Sequence, residues 1–179
     1  MVQYTGTFKN NQKDGETCTL EAIGDLQEIV EYTGGFKEDK FFGCGVILFR
    51  SGYLFKGDFK DGLPYDGIMR YPTGDEYKGK LTVPGMLKDG HGILSYKNGD
   101  YFCGDFYKDK KHGKGIYKKA SGDTVNGVWQ DDKLEMGQMV YPDGDYFGSF
   151  DEDMQPCGKG IFQYNNGEAL YQGGWKNGL

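Results

Sequence analysis

One short pattern recurs along this chain and limits its fold more than any other feature: an aromatic, any residue, a glycine, any residue, an aromatic. It reads Tyr4-x-Gly6-x-Phe8, Tyr32-x-Gly34-x-Phe36, Phe55-x-Gly57-x-Phe59, Phe102-x-Gly104-x-Phe106, Tyr146-x-Gly148-x-Phe150 and Tyr171-x-Gly173-x-Trp175. Two weaker copies, Tyr77-x-Gly79-x-Leu81 and Val125-x-Gly127-x-Trp129, keep the glycine and lose one ring. The copies start near 4, 32, 55, 77, 102, 125, 146 and 171, at intervals of 21 to 28 residues. Self-similarity at this period marks a stacked array, here about seven full repeats and a half repeat over residues 1–179. Composition agrees. Glycine occupies 31 of 179 positions, alongside 14 Tyr, 12 Phe and 2 Trp, where an average chain has roughly 7% glycine. Disordered or linker sequence carries few aromatics, so the glycine has a packing role.

Most repeats carry a second glycine motif, as in Gly43-x-Gly45, Gly90-x-Gly92, Gly113-x-Gly115 and Gly158-x-Gly160. An apolar segment ending on an aromatic follows, for example Gly92 to Tyr96 or Gly160 to Tyr164. A turn signal then closes the repeat: Asn98-Gly99, Asp143-Gly144 or Asn166-Gly167. Alternate residues of a strand share a face, so Phe55, Gly57 and Phe59 lie together, as do Gly160, Phe162 and Tyr164. Between two rings, glycine leaves a gap over which a neighbouring ring can lie. The Asn-Gly and Asp-Gly pairs are expected to supply the positive φ of tight hairpin turns. No 3.6-residue apolar stripe is present, and glycine is too frequent for helix. The expectation is an all-β fold, a single-layer twisted antiparallel ribbon of tandem β-hairpins.

These motifs resemble the MORN repeat (membrane occupation and recognition nexus), with the best match over Tyr32 to Ser51 and then Phe102 to Gly122. Val125 and Leu81 depart from it, residues 25–31 read as an insertion, and the stretch from Lys80 to Asp89 is extended. The resemblance implies a non-catalytic scaffold or adaptor at cytoskeletal, ciliary or membrane-junction structures. It also implies a shallow groove that can take a partner helix, and lipid binding in some members. MORN repeats further occur as accessory modules of larger enzymes, and that is an alternative role for this chain.

The chemistry-bearing residues read blandly. Gly-x-Gly lacks the third glycine and the helix of a dinucleotide site. His91 and His112 sit beside glycines in what reads as turn sequence, without a recognisable nucleophile or acid partner. Counting Asp151 as the first position of a calcium loop puts Pro156 and Phe162 where glycine and an acid belong. No cofactor and no metal site is expected. The net charge of −6 opposes nucleic-acid binding. Cys18, Cys44, Cys103 and Cys157 show no paired spacing and read as reduced thiols of an intracellular, cytoplasmic protein. No leader or membrane-spanning segment is legible.

Two surfaces are left as candidates. The row Tyr71, Tyr96, Tyr117, Tyr141 and Tyr164 offers a strip for a protein partner such as an amphipathic helix. Lys108, Lys110, Lys111, Lys114, Lys118 and Lys119 fall within twelve residues and offer a patch for anionic phospholipid. The ending at Trp175 to Leu179, halfway through a hairpin, leaves a sheet edge that a partner, a second copy as a homodimer, or further repeats could cover.

Overall fold

The computed structural model describes residues 2–22, 28–165, 167 and 170–176. All seventeen elements among them are strands. They fall into two compact units, Met1–Asp89 and Gly90–Leu179. The first contains β1 (Val2–Thr5), β2 (Phe8–Lys9), β3 (Gln12–Lys13), β4 (Gly15–Ala22), β5 (Ile29–Lys37), β6 (Lys40–Phe49), β7 (Leu54–Lys60), β8 (Leu63–Arg70) and β9 (Glu76–Leu81). The second contains β10 (Lys88–Ser95, which opens at the boundary), β11 (Tyr101–Tyr107), β12 (Lys110–Lys118), β13 (Thr124–Gln130), β14 (Lys133–Tyr141), β15 (Gly144–Phe150), β16 (Pro156–Tyr164) and β17 (Leu170–Trp175). Within each unit, chain neighbours pair antiparallel in an open sheet. The exception is at the start, where β1 pairs with β4 and β2 with β3. The all-β array of tandem hairpins expected from the sequence is the fold observed.

The repeat period becomes a register. In the second unit Gly92, Gly104, Gly115, Gly127, Gly137, Gly148, Gly160 and Gly173 stand opposite one another, strand after strand. In the first unit Gly34, Gly45, Gly57, Gly67 and Gly79 do the same. A spine of glycines therefore crosses each sheet. The ring that covers a spine glycine is an anchor aromatic, which serves both the glycine two residues later on its own strand and, as the sequence suggested, a glycine of the neighbouring strand. A Cβ on Gly104 would stand 2.7 Å from Phe102 Cζ, and one on Gly45 would stand 2.7 Å from Tyr32 Oη. The anchor ring folds over its own glycine and the glycine opposite, so one face of the sheet closes on itself without a second layer.

The second aromatic of each anchor completes this closed face. Tyr32 and Phe36, Phe55 and Phe59, Phe102 and Phe106, and Tyr146 and Phe150 meet edge to face, with centroids 5.2 to 5.4 Å apart. Repeats couple through the same rings: Tyr32 meets Phe59 at 5.2 Å, Phe102 meets Trp129 at 5.2 Å, and Tyr146 meets Trp175 at 4.8 Å. Where Val125 replaces a ring, Leu134 takes the space: a Cβ on Gly127 would meet Leu134 Cδ1 at 2.5 Å. Just past the spine most repeats carry a β-bulge, as between Gly104 and Phe106 or Gly148 and Ser149. A bulge leaves a carbonyl outside the ladder. Anchor tyrosines satisfy it, Tyr32 Oη donating to Gly35 O at 2.8 Å and Tyr146 Oη to Ser149 O at 2.8 Å.

The turns are not distributed as the sequence suggested. Two-residue turns with both φ positive join the strands at Glu38-Asp39, Asp61-Gly62, Lys108-Asp109 and Asp131-Asp132, in the charged stretches. At Asn98-Gly99 only Gly99 has positive φ. Its N–H donates to Tyr96 O, closing a β-turn followed by a left-handed glycine. Gly144 does not lie in the positive-φ region at all, and it pairs with Tyr141 and Tyr164. Asn166 and Glu168, residues 25–27 of the proposed insertion, and the chain end at 177–179 lie outside the described residues. Turn acids also tie repeats together. Asp132 Oδ1 accepts from Lys111 N at 2.9 Å, and Asp100 accepts from Tyr117 Oη at 2.6 Å and Ala120 N at 2.8 Å.

Candidate functional site

Because rings occupy one face, the residues alternating with them must occupy the other. In the first unit this open face is charged. Lys56, Ile68 and Lys78 stand in register, as do Asp58, Asp66 and Lys80, and Arg70 Nε donates to Glu76 Oε2 at 2.8 Å. In the second unit it turns apolar. One rank, in register across the strands, runs Ile116, Asn126, Gln138, Phe147, Ile161 and Gln172. Across the spine a second rank presents Lys114, Val128 and Met136, and further along Lys159. Between the ranks the glycine backbones form a floor, since their missing side chains would have pointed to the closed face.

The result is a groove of about 1050 Å³ within the second unit. Its walls are Val128, Met136, Phe147 and Ile161, and amides of Asn126, Gln138 and Gln172 add hydrogen-bonding capacity. Lys114 and Lys159 line it, and no acidic residue among the described ones does. Met136 is 62% exposed and Val128 47%, high values for apolar side chains in the middle of a sheet. Gln138 Nε2 is held by Asp145 Oδ2 at 2.8 Å, fixing one wall.

The five tyrosines singled out by sequence lie elsewhere. Tyr117, Tyr141 and Tyr164 continue the ring face of β12, β14 and β16. Tyr117 packs 6.1 Å from Trp129, Tyr141 5.9 Å from Phe162, and Tyr164 4.8 Å from Phe162. Tyr71 and Tyr96 open the turns after β8 and β10 and receive lysine ammonium groups, Lys88 on Tyr71 and Lys111 on Tyr96. Burial and the hydrogen bond to Asp100 raise the Tyr117 hydroxyl well above its usual range, and burial also raises Tyr141. The Tyr117 hydroxyl holds its proton as the donor to Asp100.

The six lysines are also not one cluster. Lys108, in the turn, and Lys110, just after it, lie at one end of β12, while Lys118 and Lys119 stand at the other. Eight residue steps at ~3.3 Å separate those ends by about 26 Å. Lys111 turns inward, its Nζ 5.0 to 5.7 Å from the centroids of Tyr96, Phe102, Tyr117 and Trp129. Its slot holds Pro64 and Leu134 in other repeats. Lys114 alone of the six lines the groove.

Neither histidine is in a turn. His91 lies in β10 and His112 in β12. His91 does have partners, Asp105 and Cys103. Asp151 caps its own turn, its Oδ1 accepting from Asp153 N and Gln155 N. Among the described residues, no group of His, Cys, Asp and Glu is arranged to hold a metal ion. No helix among them is long and apolar enough to cross a membrane.

The family model for the MORN repeat matches residues 4–16, 32–52, 87–101, 102–124, 155–169 and 171–179. The chain belongs to the MORN repeat family. Two of the stretches between the matches, 53–86 and 125–154, continue the same hairpins, with the spine intact and with Leu81 or Val125 in place of a ring. Among characterised proteins, Alsin of Rattus norvegicus is 29% identical over 207 residues, covering 98% of this chain and 11% of Alsin. Alsin of Homo sapiens is 31% identical over 140 residues, covering 76% of this chain and 7% of its own length. An inactive protein tyrosine kinase pTKL of Plasmodium berghei (strain Anka) is 34% identical over 91 residues, covering 51% of this chain and 6% of its own. The chain thus spans about a tenth or less of these relatives. The MORN repeat is a non-catalytic interaction module.

Proposed function

We propose that this chain is a scaffold or adaptor that binds a protein partner along the open-face groove of its second unit. The observation that carries the reading is the apolar strip of exposed Val128, Met136 and Phe147 with half-buried Ile161 over a glycine floor, lined by Lys114 and Lys159 and by no acid among the described residues. The occupant this surface suits is an amphipathic helix. Its apolar stripe lies on the strip, and acidic residues flanking the stripe meet Lys114 and Lys159. The glycine floor lets that helix approach the sheet closely, because no side chain rises between the ranks. Family membership supports a place at a cytoskeletal, ciliary or membrane-junction assembly. The small share of its relatives that the chain spans supports a role as one module of a larger assembly.

The test is selection of binders from a displayed library of amphipathic peptides against the intact chain. The recovered peptides are then titrated against Met136→Glu, Lys159→Glu and Tyr164→Ser. The reading expects acidic residues beside an apolar stripe, at least about tenfold weaker binding to the two groove variants, and unchanged binding to Tyr164→Ser. Peptides that ignore Met136→Glu and lose binding to Tyr164→Ser contradict it and return the partner to the tyrosine row.

A further inference from the structure

On the open face of β10 and β11, away from the groove, three groups form a chain. His91 and Asp105 stand opposite each other in the ladder, and His91 Nδ1 lies 3.1 Å from Asp105 Oδ1. Cys103 lies two residues before Asp105 on the same face, with its Sγ 3.9 Å from His91 Nε2. An ionised carboxylate only accepts, so Nδ1 carries the imidazole proton and Nε2 is left as an acceptor facing the thiol. A base oriented by an acid and set against a nucleophile is the arrangement that activates a thiol. The thiol opens on a shallow hollow of about 430 Å³ lined by Ile93, Ser95, Tyr101, Cys103 and Ile116. Ile93 and Ile116 flank it directly in the ladder, on β10 and β12.

We propose that Cys103 is a reversible thiolation site, exchanging with a small-molecule disulfide under general-base assistance from His91. In the step, His91 Nε2 takes the Cys103 thiol proton as the sulfur attacks one sulfur of the disulfide. A new S–S bond forms to Cys103 as the old one breaks. The departing thiolate takes the proton from Nε2–H and leaves as a thiol, so no net oxidant beyond the disulfide is consumed. The adduct occupies the hollow between Ile93 and Ile116. This inference is independent of the groove reading.

The chain contains its own control. Cys44 holds in the first unit the open-face position that His91 holds in the second, opposite Asp58 as His91 is opposite Asp105, and is more exposed than Cys103. It faces a bare carboxylate: Cys44 Sγ donates to Asp58 Oδ1 at 2.9 Å, and that hydrogen bond and the carboxylate's charge push the thiol above its ordinary range. Exposure alone therefore favours Cys44, whereas base assistance favours Cys103. The His91–Asp105 pair is solvent-facing, with side chains 69% and 50% exposed. It contributes little to stability, and variants there are expected to fold.

The experiment treats the intact reduced chain with glutathione disulfide at neutral pH. It follows mixed-disulfide formation at each cysteine by peptide mass spectrometry, with circular dichroism confirming the fold of each variant. Cys103 is expected to react at least about tenfold faster than Cys44. His91→Gln is expected to bring Cys103 down to the Cys44 rate while leaving Cys44 and Cys157 unchanged. Asp105→Asn, which removes the acid that orients the imidazole, gives an intermediate loss. A Cys103 rate no greater than that of Cys44, or one unchanged by His91→Gln, overturns the proposal.

Discussion

Replacing Gly104 by alanine tests the glycine spine directly. The added Cβ would stand 2.5 Å from Gly115 Cα, 2.6 Å from Lys114 O and 2.7 Å from Phe102 Cζ. The ring could move, but the other two atoms are backbone of the paired strand and can yield only if β11 and β12 separate. Overpacking of this kind costs about 1–3 kcal/mol, and weakening one or two ladder hydrogen bonds adds about 1 kcal/mol each. The expected loss is therefore about 3–4 kcal/mol, a large part of the stability of a small unit. Gly122 provides the contrast. Its φ is +105°, and a Cβ there meets nothing within 4 Å, so Gly122→Ala costs only backbone strain, about 1 kcal/mol. The assay is urea unfolding followed by tryptophan fluorescence, Trp129 being 2% exposed on the closed face. With a slope of about 1.5 kcal/mol/M, the Gly104→Ala midpoint falls by about 2 M and the Gly122→Ala midpoint by well under 1 M. Equal shifts, or a larger one at Gly122, would refute the reasoning that spine glycines are needed for the missing Cβ rather than for backbone freedom.

Three further outcomes follow from the closed face. Tyr146→Phe leaves Ser149 O without its hydroxyl donor at the bulge and is expected to cost about 1 kcal/mol in the same urea assay. Lys111→Ala empties a cage of four rings and is expected to cost about 2 kcal/mol, whereas Lys111→Met recovers most of it, since Leu134 and Pro64 serve in that slot elsewhere. Burial pushes the Tyr32 hydroxyl from 10.0 up to about 12. The folded state thus favours the protonated form, and this contribution is fully present below pH 10 and is lost as pH rises to about 12. Tyr32→Phe is expected to flatten the fall in stability across that window, which urea midpoints measured from pH 9 to 12 will read.

The sequence made the strand-forming unit legible because one geometric demand, a ring over a glycine, recurs with a period that chance does not give. It also placed Phe55, Gly57 and Phe59 on one face correctly, since the two-residue alternation of a strand is a local property. What it concealed depends on which face closes. Tyr96, Tyr117 and Tyr141 look like an exposed row until the rings are seen to pack beside a spine that needs no second layer. The groove residues Val128, Met136, Phe147 and Ile161 are separated along the chain and share no motif; only the register aligns them. A signal was nonetheless present, because the residues between the two glycines of each pair, Cys44, His91, Lys114 and Lys159, must all face away from the rings. The His91, Cys103 and Asp105 cluster was missed for the same reason: its members meet across the β10–β11 hairpin, and spacing alone does not bring them together. Turn chemistry is legible in part: Gly99 and the Asp61-Gly62 pair take positive φ as Asn-Gly and Asp-Gly signals imply, whereas charged pairs such as Asp131-Asp132 also take both left-handed positions, and Asp132 is held by its bond to Lys111 N.

The central claim is that the open-face groove engages a protein. The most direct measurement is affinity capture from native cells of the wild-type chain beside Met136→Glu and Tyr164→Ser, with bound polypeptides and phospholipids quantified together. The account predicts one stoichiometric protein that is retained by Tyr164→Ser and lost from Met136→Glu. Recovery of that protein by Met136→Glu at the wild-type level, or enrichment of anionic lipid with no protein lost, would contradict it.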